Sequence, residues 1–407
     1  MHIKGKPFRD LTLEKAVRLG AALGKLAGAG SLIISGRDAS PVSRMFKRAI
    51  TAGIMSAGVE VMDFHESLLG EISYAIRRFG GRYGFMVEQD PATPGNIVIR
   101  VCKTPGYELR GAELKSILSE SEKEIEEPER VGWIIYAEYM HRLYSSAVSS
   151  FVKSDAVSSA KITTVVGPGL TPLDVILRDL SSDLGIDQTL IGVTLKACIH
   201  PSIELMEDVE KVVDAIGADV GAVFSHDGSS IVVYSTSTGY LVPGELALVL
   251  SERYPAGSKV LALNPVQKTI VKTLVGRGYD VIVVNSVEEY NTLLRRERPV
   301  LSFTPQGEFA SPIFSLCGDA VVAYAQVLEV LSEQGKQGFT NIVETELKVL
   351  GETVSKETAL TLCREKGAIT LWGCLLVENS TVTALVYQPR TGAFLKIRDS
   401  VAPPTGH

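Results

Sequence analysis

The stretch "SLIISGRDASPVSRMFKRAITAGIMSAGVEVMDF", Ser31 to Phe64, decides the fold. It opens with a short apolar run and passes through a loop to Pro41. An amphipathic segment then leads to Gly58 and a second apolar run. Proline at a first helical position and glycine just past the last turn bracket a helix. Strand, helix and strand in that order make a βαβ unit and imply a largely parallel sheet. The pattern returns in "KITTVVGPGLTPLDVILRDLSSDLGIDQTLIGVTL", Lys161 to Leu195, where Pro172 opens the helix and Gly185 closes it. It returns again in "GSKVLALNPVQKTIVKTLVGRGYDVIVVN", Gly257 to Asn285, with Pro265 and Gly278.

Three such units, well separated, predict three similar α/β domains in series with mixed, mainly parallel sheets. "ESEKEIEEPERVG" is a charged break, and "WIIYAEYMHRLYSSAVSSFV" reads as a linking helix. "SERYPAGSK" separates the second unit from the third. After "VLEVLSEQGKQG" the pattern changes to a helix near Lys356–Glu365 and strands near Ile369–Val377, Val382–Tyr387 and Phe394–Arg398, a small α+β domain. The expected domains are residues 1–150, 151–255, 256–336 and 337–407, and the tail "VAPPTGH" reads as frayed.

The 407 residues are 45% apolar and 22% charged, with a formal net charge of −6, ordinary for a soluble globular protein and unsuited to a generic nucleic-acid partner. No apolar run is long enough to span a bilayer, and "MHIKGKPFRD" has no apolar signal core. Cys102, Cys198, Cys317, Cys363 and Cys374 form no CxxC pair. Each reads as a small buried hydrophobe in a reducing cytoplasm.

Chemistry is expected at the carboxyl ends of the strands. There "YGFMVEQDPATPGNIVIRV", Tyr83 to Val101, places a loop with Glu88, Asp90 and Thr93 but no Ser, His, Lys or Cys. "RVCKTPGYELR" reads as a basic, solvated loop.

Three tandem α/β units and a small α+β end resemble the α-D-phosphohexomutase superfamily, which includes phosphomannomutases, phosphoglucomutases and phosphoglucosamine mutases. The residues carrying the resemblance are "GRDASPVSRMFKRAITAGIMSAGVEVMD", "DAIGADVGAVFSHDG…TGYLVPGEL" and "GDAVVAYAQVLEVLSEQGK". "GKPFRDLTLEKAVRLGAALGKL" is similar to a branch found at the end of some sugar-phosphate nucleotidyltransferases. The resemblance implies a phosphoryl-carrying serine, a magnesium ion held by three aspartates, a loop that grips sugar hydroxyls and a loop that grips phosphate.

Each implied site is altered. Asp90 stands at the serine position, within Glu88-Gln89-Asp90-Pro91-Ala92-Thr93. In the metal loop, Ser225-His226-Asp227-Gly228-Ser229-Ser230, only Asp227 remains of three ligands. The sugar loop reads Gly307-Glu308-Phe309-Ala310-Ser311-Pro312 and keeps Glu308, while Phe309 offers either a face for a sugar ring or a packing residue. The nearest match to the phosphate loop is "YQPRTGAFLKI", where Arg390, Thr391 and Gly392 make either an anion nest or a plain hairpin turn. Arg37 of "GRDAS" remains, as a substrate contact or a loop brace.

The resemblance therefore implies a phosphohexomutase-like protein, impaired or inactive in catalysis. It would bind a sugar phosphate, a nucleotide sugar or a nucleotidyltransferase of nucleotide-sugar synthesis, and need no cofactor. The alternatives are an active mutase that uses magnesium, with Asp90 or Thr93 as acceptor, and an assembly subunit with no sugar ligand.

Overall fold

In the computed structural model, Ser40 caps the helix of the first βαβ unit. Its hydroxyl accepts from the Val42 amide at 3.2 Å, and Pro41 takes the first helical position of Pro41–Met55. Phe46, Ile50 and Ile54 form the fully buried stripe of that helix, and Gly58 turns the chain at a φ of +72°. Strands Leu32–Arg37 and Glu60–Glu66 on either side pair in parallel. The helix crosses Leu13–Ala27 very closely. A Cβ on Gly53 would lie 1.9 Å from the Val17 carbonyl oxygen, and one on Gly20 2.0 Å from that of Ile50.

The structure describes residues 3–90, 93–125, 127, 129–167, 172–191, 203–343, 349–366, 368–370, 373–378, 380–388 and 393–405. Among these the strands form four sheets. The first runs Ile3–Gly5, Ile97–Lys103, Tyr83–Gln89, Leu32–Arg37, Glu60–Glu66, Ile134–Tyr136, with Tyr107–Glu108 paired to Ile97–Lys103. Its four consecutive strands from Tyr83–Gln89 onward are parallel, and the rest are antiparallel. The second runs Gly239–Tyr240, Ile231–Ser235, Val220–Phe224, Thr163–Gly167, Asp187–Leu190, and the third Asp280–Val284, Lys259–Leu263, Leu301–Phe303, Phe309–Ala310. Each mixes parallel neighbours with an antiparallel edge. The fourth is wholly antiparallel: Val349–Ser355, Ala393–Ser400, Thr381–Gln388, Gly373–Glu378, Ala368–Thr370, with helix Lys356–Lys366. The mixed, parallel-rich α/β class and the α+β end agree with the sequence reading.

Several local expectations are corrected. The segment read as one linking helix starts as edge strand Ile134–Tyr136 and becomes helical at Met140–Phe151. Tyr144 and Val148 of that helix join the core of the second sheet, so it belongs with the residues after it. Pro172 is the residue before its helix, and Pro265 precedes helix Lys268–Gly276, whose cap is Gln267. Helix Ala320–Val343 runs through Gln337 and is interrupted at Gly335, with φ +66°. The tail is tied down as far as Thr405: Ala402 is buried and its amide donates to Val266 O at 2.9 Å, and the Thr405 amide donates to Val283 O at 3.0 Å. Cys363 is disulfide-bonded rather than a lone thiol. Cys102 and Cys317 are free and buried.

Apolar contact is continuous between units. One core joins the second, third and fourth sheets through Val165, Val260, Tyr324 and Phe394. Another joins the first and third through Ile33, Phe85, Leu261 and Ile282. Between them the strand ends face a common cavity of about 460 Å³.

Candidate functional site

Strand register builds the site. Met86 lies opposite Arg100, Glu88 opposite Val98, and Cys102 opposite Glu108. With a period of two, Glu88, Arg100 and Glu108 share one face of the first sheet, and all three line the cavity. Arg100 is buried and forks onto Glu108, Nε to Oε1 at 3.1 Å and Nη2 to Oε2 at 2.9 Å. Its Nη1 reaches across to Asp227 Oδ2 at 2.5 Å and lies 3.6 Å from Glu88 Oε1. Arg110 holds Glu108 from the other side at 2.7 Å.

Asp227 belongs to a turn closed on itself. Its Oδ1 accepts from Ser225 Oγ at 2.6 Å, Ser229 Oγ at 2.9 Å and the Ser229 amide at 3.1 Å. Gly228 supplies the positive φ of +67°. Burial alone would raise the Asp227 carboxyl, but Arg100, His226 and the donors from Ser225 and Ser229 outweigh it and hold the group well below the ordinary value. Arg100 stays charged because Glu108, Glu88 and Asp227 together overcome its burial. Glu88 shifts the other way. Burial, with Asp227, Asp38 and Glu108 nearby, raises its carboxyl well above the usual range, and Arg100 offsets only part of this. Glu88 Oε2 and both ring nitrogens of His226 are buried with no hydrogen-bond partner among the described residues.

The sugar-loop residues meet this turn directly. The Ile231 amide donates to Gly307 O at 3.2 Å, Ser230 bridges Glu308, and the Ala320 amide donates to Gly228 O at 2.8 Å. A Cβ on Gly318 would lie 2.9 Å from both Glu308 Cβ and Ser229 O, so glycine lets the two loops close. The Glu308 carboxyl, raised by burial, lines the cavity with His226.

Residues 2–128 match the family described as phosphoglucomutase/phosphomannomutase, alpha/beta/alpha domain I. A probable phosphoglucosamine mutase of Pyrococcus furiosus is 25% identical over 352 residues, 80% of this chain and 73% of its own. The phosphoglucosamine mutase of Streptococcus pneumoniae is 22% identical over 356 residues, 82% of this chain and 77% of its own. The solved structure of a putative phosphomannomutase from Thermus thermophilus superposes with a TM-score of 0.77 at 15% identity, covering 98% of this chain and 94% of that one. The first α/β unit thus matches the phosphoglucomutase/phosphomannomutase domain family, most of the chain is similar to phosphoglucosamine mutases, and the whole has the phosphohexomutase fold.

The chain departs in two places from the chemistry that the sequence resemblance implies. At the serine position, Asp90 lines the cavity, its amide bound to Asn96 O at 2.9 Å and Lys4 Nζ 3.6 Å from its Oδ2. Thr93, the alternative acceptor, is exposed and outside the cavity lining. At the metal position, magnesium asks for near-octahedral oxygen ligands and strong carboxylate charge. Here the Asp227 oxygens are taken by three donors and a guanidinium. These residues do not fit magnesium, and Asp227, expected as the surviving ligand, is an ion-pair partner. Among the described residues no group of three or more His, Cys, Asp or Glu side chains is placed to hold a metal ion.

Asp90, Asp227, Gly307 and Glu308 thus come together at one cavity or its rim. Arg37 does not. Its Nη1 donates to Asp38 O at 2.7 Å and Glu66 Oε1 at 3.1 Å, and it lines a separate recess. Arg390, Thr391 and Gly392 lie outside the described residues. Phe309 is buried and stacks on Phe303 with centroids 6.3 Å apart, a packing residue.

Arg100, Glu108 and Arg110 were missed because "RVCKTPGYELR" read as solvated. It holds the end of a buried strand, Ile97–Lys103, and a short paired one. The available signal was a lone arginine inside the apolar run "IVIRVC", which demands a partner when buried.

Proposed function

We propose that this protein binds a sugar phosphate in the central cavity without carrying out mutase phosphoryl transfer. The observation that carries this reading is the Arg100–Asp227 pair at 2.5 Å, where magnesium is expected. Phosphoryl transfer depends on a positioned nucleophile and on positive charge aimed at the transferring group. Arg100 is neutralised by the carboxylates around it and offers no net positive field to a phosphoryl group. Asp90 replaces the hydroxyl nucleophile.

Binding groups remain. Glu308 accepts from sugar hydroxyls, and the unpartnered His226 ring supplies one donor and one acceptor when neutral. Lys4 and Arg110 line the same cavity and favour an anion. Arg390 with the Thr391 and Gly392 amides remains our assignment for the phosphate.

The test is isothermal titration with glucosamine, glucose and mannose 1-phosphates, in buffer with and without magnesium. We expect binding of at least one, unchanged by magnesium and weakened about tenfold or more in Glu308→Gln, on the scale of one charge-assisted hydrogen bond. Absence of binding by all three would refute the sugar-phosphate assignment. An active mutase with Asp90 as acceptor is the rival, favoured by the placement of Asp90 at the cavity beside Lys4. It requires turnover that Asp90→Ala abolishes.

A further inference from the structure

A second recess lies on the first sheet, between helix Pro41–Met55, strand Glu60–Glu66 and edge strand Ile134–Tyr136, with a volume of about 200 Å³. Arg37, Arg44, Lys47 and Arg48 line it against one carboxylate, Asp63, in a chain whose net charge is −6. Two of these cations are matched: Arg37 by Glu66 at 3.1 Å, and buried Lys47 by Asp63. The guanidinium groups of Arg44 and Arg48 have no ion-pair or hydrogen-bond partner among the described residues. They lie one turn apart, on one face, in the first half of a helix with no acidic residue in its first turn. Like charges at that spacing repel, and the helix N-terminus is itself positive. Among the lining residues the one carboxylate, Asp63, is already held by Lys47, and a bound anion would offset that cost.

The recess adjoins a groove of about 460 Å³ lined by Phe64, Ala137, Tyr139, Met140 and His141 together with the carboxylates of Glu66 and Glu138, and His65 lines both. His65 occupies the left-handed region at φ +58°, beside an irregularity in the strand register. Its amide donates to Asp63 Oδ1 at 2.7 Å, the carboxylate that Lys47 holds. Its ring stacks on Tyr136, centroids 5.6 Å apart and planes 10° apart. Tyr139, 82% exposed, is also left-handed at φ +63°. Two strained non-glycine residues flanking one groove are the kind of outlier that marks a ligand site.

We propose that this recess and groove bind a nucleoside phosphate, with the phosphates on Arg44 and Arg48 and the base against the aromatic side chains of His65 and Tyr139. Arginine matches phosphate bidentately, and aromatic faces stack bases whatever their identity. The site is separate from the central cavity and does not depend on the function proposed for it.

The test is isothermal titration of the whole chain with ADP, UDP and pyrophosphate. Both nucleotides should bind, and more tightly than pyrophosphate. The double variant Arg44→Ala/Arg48→Ala should weaken all three at least tenfold. Tyr139→Ala should weaken only the nucleotides, and Glu308→Gln should change none. Arg44, Arg48 and Tyr139 are exposed, and an unchanged circular dichroism spectrum confirms for each variant that the fold is kept. The proposal is overturned if none of the three binds, if the double variant binds as well as wild type, or if Glu308→Gln abolishes binding. Pyrophosphate binding as tightly as the nucleotides would also overturn it, since the groove would then contribute nothing.

Discussion

Arg100 Nη1 lies 2.5 Å from Asp227 Oδ2, so an internal cation from the first sheet neutralises a carboxylate in a turn between two strands of the second. The pair is buried, and its net value comes from completeness, because Glu108 and Glu88 also face the same guanidinium. Arg100→Ala should cost roughly 3–5 kcal/mol by stranding these carboxylates. Urea unfolding measures it. Millimolar magnesium or calcium should restore part of that loss in the variant and leave wild type unchanged. A variant as stable as wild type would mean that the cluster is not coupled to folding.

Asp319 is buried at the start of helix Ala320–Val343, where its Oδ1 accepts from Tyr144 Oη at 2.6 Å and the Val322 amide at 3.2 Å. Burial raises its carboxyl from 3.8 to about 6, against those two donors and with help from Glu71. A raised folded pKa means that the folded state holds the proton longer than the unfolded chain. The associated stability is full below about 4 and is lost as pH rises through about 6. Ionisation should cost on the order of 2–3 kcal/mol. Asp319→Asn should therefore flatten the stability profile between pH 4 and 7, read as urea midpoints across that range. An unchanged slope would remove Asp319 as its source.

The helix crossing at Gly53 leaves no room for a methyl group. Gly53→Ala would set a Cβ 1.9 Å from the Val17 carbonyl oxygen, backbone that cannot rotate away. Alanine normally stabilises a helix by about 1 kcal/mol over glycine. Here the sign should reverse, with a loss of about 2 kcal/mol or more and a lower thermal midpoint. A gain in stability would show that the helices can separate freely.

The helices and parallel strands were legible wherever punctuation agreed with periodicity, as at Pro41 and Gly58. Pro265 misled because it lies ahead of its helix and the cap is Gln267. The tail read as frayed, yet Ala402 is buried and bound to Val266 in the loop after strand Lys259–Leu263. That Asp90 stands where the resemblance implies a serine, and Asp227 alone where it implies three aspartates, was readable residue by residue. What replaced them was not. Arg100 and Asp227 are 127 positions apart, and only strand register and sheet-to-sheet contact bring them together. The recess at Arg44 and Arg48 was equally hidden, since Tyr136 and Tyr139 were read as part of a helix and are respectively strand and turn.

Phosphorus NMR of the purified protein with glucosamine, glucose or mannose 1-phosphate, the matching 1,6-bisphosphate and magnesium tests the central claim most directly. The account predicts no 6-phosphate above the protein-free blank, in the same sample where titration detects binding. Accumulation of 6-phosphate that disappears in Asp90→Ala would contradict it, and would make Asp90 the phosphoryl acceptor of a working mutase.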